Sequence, residues 1–259
     1  MTTYYITFID SGAFGNVYKI SETGTDTIVL RETIKDEKNT CLKLCSVEDG
    51  SKEHEFLKKL NHKNVIKTYF GYFDIDIDTY IIALYLMSGD VYKYRKEIKI
   101  DMFINQMMSA LQYIHSNNII HCDIKPQNIL FKKIANDQLF CLTDFNTAHI
   151  YKMNNTHMKF KKIEDDRIIG TINFCSLFVL LKCHPYKRDD LESLFITILF
   201  LANDDLDENI FTKEKNEKIL RKFRLCMYEY NTIKQIRSYN FYESIDYKLI
   251  QSLLISDFL

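Results

Sequence analysis

Residues His121 to Leu130 read H-C-D-I-K-P-Q-N-I-L, and Thr143-Asp144-Phe145-Asn146 follows at short range. One short stretch thus carries a carboxylate (Asp123), a cation (Lys125) and an amide (Asn128), with a second carboxylate, Asp144, downstream. Phosphoryl transfer needs such a set: a carboxylate to take the proton of the attacking hydroxyl, a cation beside the developing charge, and oxygen ligands for magnesium. A His-Asp-Asp set also suits a hydrolase triad, but the chain has no G-x-S-x-G turn to expose a serine nucleophile.

These residues must be positioned by the elements around them. Residues 4–10 and 14–20 alternate apolar and polar with glycines between, which predicts two strands and a tight turn. Thr27 to Arg31 and Thr40 to Cys45 continue the sheet, and Val65 to Phe73 and Thr79 to Leu86 add two strands. Phe56, Leu57 and Leu60 have helical spacing, so a helix is expected over 52–60. Ser88-Gly89-Asp90 breaks the pattern and begins a second lobe. A helix is expected over 102–116, strands over 128–132 and 139–143, a polar and basic segment over 147–170, and helices from Asp189 onward. A strand-rich start and a helix-rich remainder predict a two-lobed α+β fold: one domain over 1–259, with lobes of about 1–86 and 87–259.

Composition narrows the function. A net charge of −1 gives no global field for nucleic acid or a membrane surface. The seven cysteines have no paired spacing and are odd in number, which argues against a disulfide framework and for a reducing compartment, cytoplasmic or nuclear. The start, M-T-T-Y-Y-I-T-F, has no basic region followed by an apolar core, so no signal peptide is expected. The apolar run Leu191 to Ala202 contains Glu192 and is too short to span a bilayer, so it reads as a buried helix. Two prolines and seven glycines among much Lys, Ile and Asn fit an AT-rich source such as a virus or parasite, and then a host-cell location.

Five segments in order resemble the signatures of protein kinases: I-D-S-G-A-F-G-N-V-Y at Ile9–Tyr18, T-C-L-K at Thr40–Lys43, K-E-H-E-F-L around Glu53, the H-C-D loop, and T-D-F-N. The resemblance implies a two-lobed kinase fold using ATP and Mg2+. It implies that Gly12, Gly15, Val17, Cys41, Lys43, Glu53, Leu84, Leu86 and Leu130 serve ATP binding, with the two glycines letting backbone approach phosphates. Lys43 would hold the α- and β-phosphates and pair with Glu53. The short Lys43–Glu53 spacing requires a tight link or a truncated helix and keeps Glu48 and Glu55 as alternative partners. Asp123 would be the catalytic base, Lys125 would neutralise charge on the transferring group, and Asn128 and Asp144 would hold magnesium. His121 would pack as a buttress with Phe145.

The lysine at 125 resembles serine/threonine kinases. G-T-I-N-F-C-S-L at Gly170–Leu177 and R-D-D-L-E-S-L at Arg188–Leu194 resemble the casein kinase 1 group, which includes vaccinia-related kinases; the usual A-P-E is absent. In that group Thr171 contacts the catalytic aspartate and lysine, and Asp190 hydrogen-bonds the catalytic-loop backbone. Protein substrates are implied, acidic or prephosphorylated ones suiting the basic residues Lys152, Lys159, Lys161, Lys162 and Arg167.

Several positions depart from the pattern. Asp10 replaces the first glycine of the loop, Asn146 replaces the glycine after Asp144-Phe145, and Cys122 replaces the arginine that commonly grips a phosphorylated activation loop. Loss of that anchor implies activity without activation-loop phosphorylation. Cys122 itself reads as a buried inert thiol, and Asn146 as a residue tolerant of a left-handed backbone. Ala83 aligns with the position that controls the pocket behind adenine and implies an enlarged one. Rival readings are a pseudokinase scaffold binding a partner and a small-molecule phosphotransferase of the same fold. Oligomeric state is not encoded in any of these features.

Overall fold

Alternating burial turns the first third of the chain into a sheet. A computed structural model describes residues 1–12, 14–153, 156–157, 168–203, 216–240 and 243–259. Strands β1 (Thr2–Gly12), β2 (Gly15–Ser21), β3 (Asp26–Leu30) and β4 (Thr40–Cys45) precede helix α1 (Val47–Leu57), and β5 (Thr68–Asp74) and β6 (Thr79–Tyr85) follow it. They form one six-stranded antiparallel sheet in the order β3-β1-β2-β4-β6-β5. One face packs Tyr4, Ile6, Ile20, Ile28, Leu30, Leu42 and Ala83 into a core. Met1–Ser88 and Thr143–Asn146 make up this compact unit.

Helix α1 starts five residues before the position its sequence suggested. A single residue, Ser46, links it to β4 and caps it: the Ser46 hydroxyl accepts from Asp49 N at 3.1 Å and donates to the Asp49 carboxylate at 2.7 Å. The buried stripe of α1 is Gly50, Glu53 and Leu57, which has helical spacing but only one large apolar residue, so hydrophobic periodicity could not reveal it. Leu60 is buried beyond the helix end. Gly50 lies against β6, where an added Cβ would sit 2.6 Å from Tyr80 Cβ.

Gly89–Leu142 with Thr147–Leu259 forms the other unit. It begins with β7 (Gly89–Asp90), helix α2 (Ile100–Ser116), β8 (Ile119–Ile120), β9 (Ile129–Ile134) and β10 (Asp137–Leu142). Short strands β11 (His149–Ile150), β12 (Lys152–Met153) and β13 (Thr156–His157) follow. Three small sheets result: β10-β9-β7, β11-β8 and β12-β13. Among the described residues, helices α3 (Leu177–Leu180), α4 (Lys187–Ala202), α5 (Glu217–Cys226), α6 (Asn231–Ser238) and α7 (Tyr247–Phe258) follow.

Every residue of α4 from Asp189 to Leu201 is buried, including Asp189, Asp190 and Glu192 ahead of the apolar run, and α2, α6 and α7 pack on it. Among the described residues no helix is long and apolar enough to cross a membrane. All seven cysteines are free thiols. The architecture is α+β, strand-rich in the first unit and helical in the second.

Gly50 gives a direct test of how α1 is seated. Alanine there gains about 1 kcal/mol of helix propensity, but its methyl meets a Cβ anchored on a strand, and such overpacking costs about 1–3 kcal/mol. Gly50→Ala is therefore expected to lower the urea midpoint despite its better propensity, and Gly50→Val to lower it further. A raised midpoint for Gly50→Ala would contradict this packing.

Candidate active site

In the first unit the site is built on β4. Leu42 faces the apolar core and Leu44 packs against it, so alternation turns Lys43 to the opposite face, where it is buried between Val17 of β2 and Ile82 of β6 in register. Its Nζ lies 2.5 Å from Glu53 Oε2 and 3.4 Å from Asp144 Oδ1. The one-residue link at Ser46 satisfies the short Lys43–Glu53 spacing. The alternatives are on solvent: Glu48 is exposed, and exposed Glu55 pairs with Lys58 and Lys59.

Burial opposes the charge on Lys43, but Glu53 and Asp144 outweigh it and raise its pKa, so the ammonium persists. Burial pushes the fully enclosed Glu53 carboxyl up, Lys43 pulls it down, and Asp144 adds to the rise.

Asp144 has φ 64°, a left-handed conformation unusual for a residue with a side chain. This corrects the expectation for Asn146: the loop places Asp144, and not Asn146, in that region. Asn146 instead uses its side chain. The amide Nδ2 donates to Asp144 Oδ1 at 2.7 Å and Glu53 Oε2 at 3.2 Å, and the Asn146 carbonyl accepts from Lys52 Nζ. Glu53 Oε1 and Asn146 Oδ1 are buried without a partner.

Cys41 and Leu84 are cross-strand partners, so they share the face of Lys43; the Cys41 thiol contacts the Leu84 carbonyl at 3.7 Å. Burial pushes that thiol up to about 12. Ala83 pairs with Leu42 and lies in the apolar core on the other face. The enlarged pocket expected from Ala83 is thus not formed; a one-residue shift in register puts Leu84 on that face instead. Val17 is half-buried opposite Lys43, and Leu86 N donates to Asn39 O at 2.7 Å. Gly12 and Gly15 pair across the β1–β2 hairpin, whose residue 13 lies outside the described residues. Asp10 is exposed at a bulge, where its carboxylate accepts from Ser11 N at 2.9 Å.

In the second unit Asp123 is buried and held by three donors. Its Oδ2 lies 2.8 Å from Lys125 Nζ and accepts from Asn128 Nδ2 at 2.9 Å, and its Oδ1 accepts from Thr171 N at 2.7 Å. Asn128 Nδ2 also reaches the Asp123 carbonyl at 2.9 Å, so the amide oxygen takes no part in these bonds. Lys125 Nζ donates to Thr171 Oγ1 at 2.7 Å. The close approach of the two segments requires Gly170, which has φ 84° and where a Cβ would lie 2.2 Å from Cys122 O. Leu130 is half-buried on β9, opposite Asp90 and Cys141.

Asp190 on α4 organises the loop from below. Its carboxylate accepts from His121 N and Cys122 N at 2.9 Å each and from His115 Nε2 at 2.8 Å. Burial raises the Asp190 pKa, but the bond from His115 and the neighbouring donors win, and the net shift is downward. His121 is fully buried. Cys122, with φ 68°, is half-buried and sits 3.3 Å from His149 Nδ1, so it is not the enclosed thiol expected.

The segment after Thr171 is supported by residues that sequence reading missed. Fully buried Arg224 donates to the Asn173 and Cys175 carbonyls at 2.5 and 3.0 Å. Glu192 accepts from Leu177 N at 2.9 Å and is gripped by Arg237 at 2.6 and 3.0 Å. A lone arginine on a polar helix face reads as solvated, and neither partner is near in sequence. Of the basic residues expected to meet substrate, Lys152 is half-buried, while Lys159, Lys161, Lys162 and Arg167 lie outside the described residues.

Removing one partner of a buried ion pair costs about 3–5 kcal/mol because the other charge is left unpaired. Arg237→Met is expected to destabilise the protein by that amount in denaturant titration, and Glu192→Gln with Arg237→Met to recover part of the loss. A neutral single variant would show that the pair does not brace this segment.

Each unit thus carries part of a set that suits phosphoryl transfer: a charged strand lysine and the oxygen donor Asp144 in the first, and a clamped carboxylate and the oxygen donor Asn128 in the second. Comparison with known proteins agrees. Residues 5–258 match the protein kinase domain model. The chain is 32% identical over 174 residues to an Aurora kinase of Saccharomyces cerevisiae, a stretch that covers 65% of this chain and 44% of that relative. The match thus covers less than half the length of that relative. With almost its whole length accounted for by one family model, this chain belongs to the protein kinase domain family.

Proposed function

We propose that the chain is an ATP-dependent serine/threonine protein kinase. The observation that carries this reading is the Asp123 carboxylate, held by Lys125, Asn128 and Thr171 so that it can orient a substrate hydroxyl and accept its proton. Lys43, kept charged between Glu53 and Asp144, suits the α- and β-phosphates of ATP. Asp144 in the first unit and the Asn128 amide oxygen in the second are each donors of the kind magnesium takes, and magnesium when bound neutralises phosphate charge. Lys125 stands beside Asp123 to offset charge on the transferring group.

The engagement of Thr171 by Asp123 and Lys125 supports serine/threonine over tyrosine acceptors. The Gly170–Leu177 and Arg188–Leu194 motifs, with Asp190 and Glu192 both bonded to loop backbone, support the casein kinase 1 group. Acidic or prephosphorylated protein substrates follow from the basic 152–167 stretch. Cys122 in place of the anchoring arginine supports activity without loop phosphorylation. The odd number and unpaired spacing of the seven cysteines support a reducing compartment.

Transfer of labelled γ-phosphate from Mg-ATP to casein tests this reading. Label is expected on serine or threonine before and after phosphatase treatment, with kcat reduced about 10²–10⁴-fold in Asp123→Asn. No transfer, with nucleotide binding absent and the fold intact, would favour the scaffold reading; binding without transfer would point to a different acceptor or a missing partner. Activity abolished by phosphatase, with the lost phosphate mapped to 147–170, would overturn loop independence.

A further inference from the structure

Asn146 occupies a position that protein kinases fill with glycine, and it brings a buried carboxamide to the Lys43 network. Three bonds tie this residue and its loop inward. The amide nitrogen bridges two carboxylates, Asp144 Oδ1 at 2.7 Å and Glu53 Oε2 at 3.2 Å, and the backbone carbonyl accepts from Lys52 Nζ. Lys52 and Glu53 are consecutive on α1, so side chain and backbone of one loop residue are both fastened to the same turn of helix.

The orientation of the amide follows from chemistry. Two carboxylate oxygens flank it, and only the nitrogen end can donate to both; the reversed amide would set three acceptors together. Charge makes the bridge more valuable. Glu53 and Asp144 share one ammonium, and a second donor reaching both carboxylates relieves a surplus of negative charge in a buried site. Asp144 also holds a left-handed backbone, and the bond from the side chain two residues on fixes the carboxylate in that conformation.

We propose that Asn146 is a positioning residue: it clamps Asp144 to α1 and presets the Lys43–Glu53–Asp144 arrangement before nucleotide arrives. The proposal rests on the kinase reading above for its catalytic consequence and gives a reason, internal to one unit, why the arrangement would need no loop phosphate. Asn146→Gly restores the family residue and removes the clamp. Asn146→Leu keeps the side-chain size without the donor. Asn146→Asp replaces the donor with a third carboxylate.

The test combines amide hydrogen exchange over 143–147 in the nucleotide-free full chain with kcat and KM for ATP. Loss of a hydrogen bond to a charged group predicts exchange faster, and kcat/KM for ATP lower, by about 10- to 100-fold in the Gly and Leu variants, and lower still in the Asp variant. The melting temperature of the Gly and Leu variants is expected to fall by no more than about 11 °C, the shift that the lost bond itself implies, so a larger fall would mark general destabilisation instead of lost positioning. Exchange and kcat/KM both within about twofold of wild type would overturn the proposal. So would faster exchange with unchanged kcat/KM, or the reverse. A wild type that transfers no phosphate would refute the kinase reading instead, and exchange alone would then decide the clamp: faster in Asn146→Gly supports it, unchanged exchange overturns it.

Discussion

The first unit is organised around a carboxylate with no access to water. Glu53 is fully buried, and a buried charge is tolerated only with a close partner and further hydrogen bonds. Lys43 supplies the partner at 2.5 Å and Asn146 the further donor. The surrounding sequence answers to that demand. Ser46 compresses the strand–helix link to one residue, and Gly50 lets the helix sit against Tyr80. The cost of enclosing Glu53 is offset by a lysine that must stay charged, and that charge is what the proposed phosphate contact would use.

The second unit solves a different problem. The role proposed for Asp123 needs its carboxylate fixed without being neutralised. Asp190 takes two backbone N–H groups and an imidazole, which secures the loop from one side. Lys125, Asn128 and Thr171 hold Asp123 from the other. Cys122 is held in a left-handed conformation between them, and such strain persists only where the surroundings over-determine it. Arg224 and the Glu192–Arg237 pair brace the segment that delivers Thr171, so helices late in the chain bear on the chemistry of its middle.

Much of this was legible in the sequence, for a physical reason. Asp123, Lys125, Asn128 and Asp144 fall in short local motifs, and β4 matched its expected span because alternation of Leu42, Lys43 and Leu44 encodes a two-faced strand directly. The illegible parts depend on tertiary placement. Helix α1 hides its start because its inner stripe is Gly50, Glu53 and Leu57. Ala83 and Leu84 are separated only by register, and a one-residue shift exchanges faces. Asn146 read as a tolerated replacement, because its bonds run to Glu53, far away in sequence. Arg224 and Arg237 gave no signal, since their partners lie in distant segments.

The central claim is that the charge of Glu53, and not its shape, holds Lys43 for phosphate. Glu53→Gln keeps the shape and removes the charge, and kcat/KM for ATP is the direct reading. A fall of about 10-fold or more with KM for the protein substrate unchanged is what the account predicts, since the Lys43 ammonium would keep a neutral hydrogen-bond acceptor but lose its opposing charge. An unchanged kcat/KM in a folded Glu53→Gln protein would contradict it.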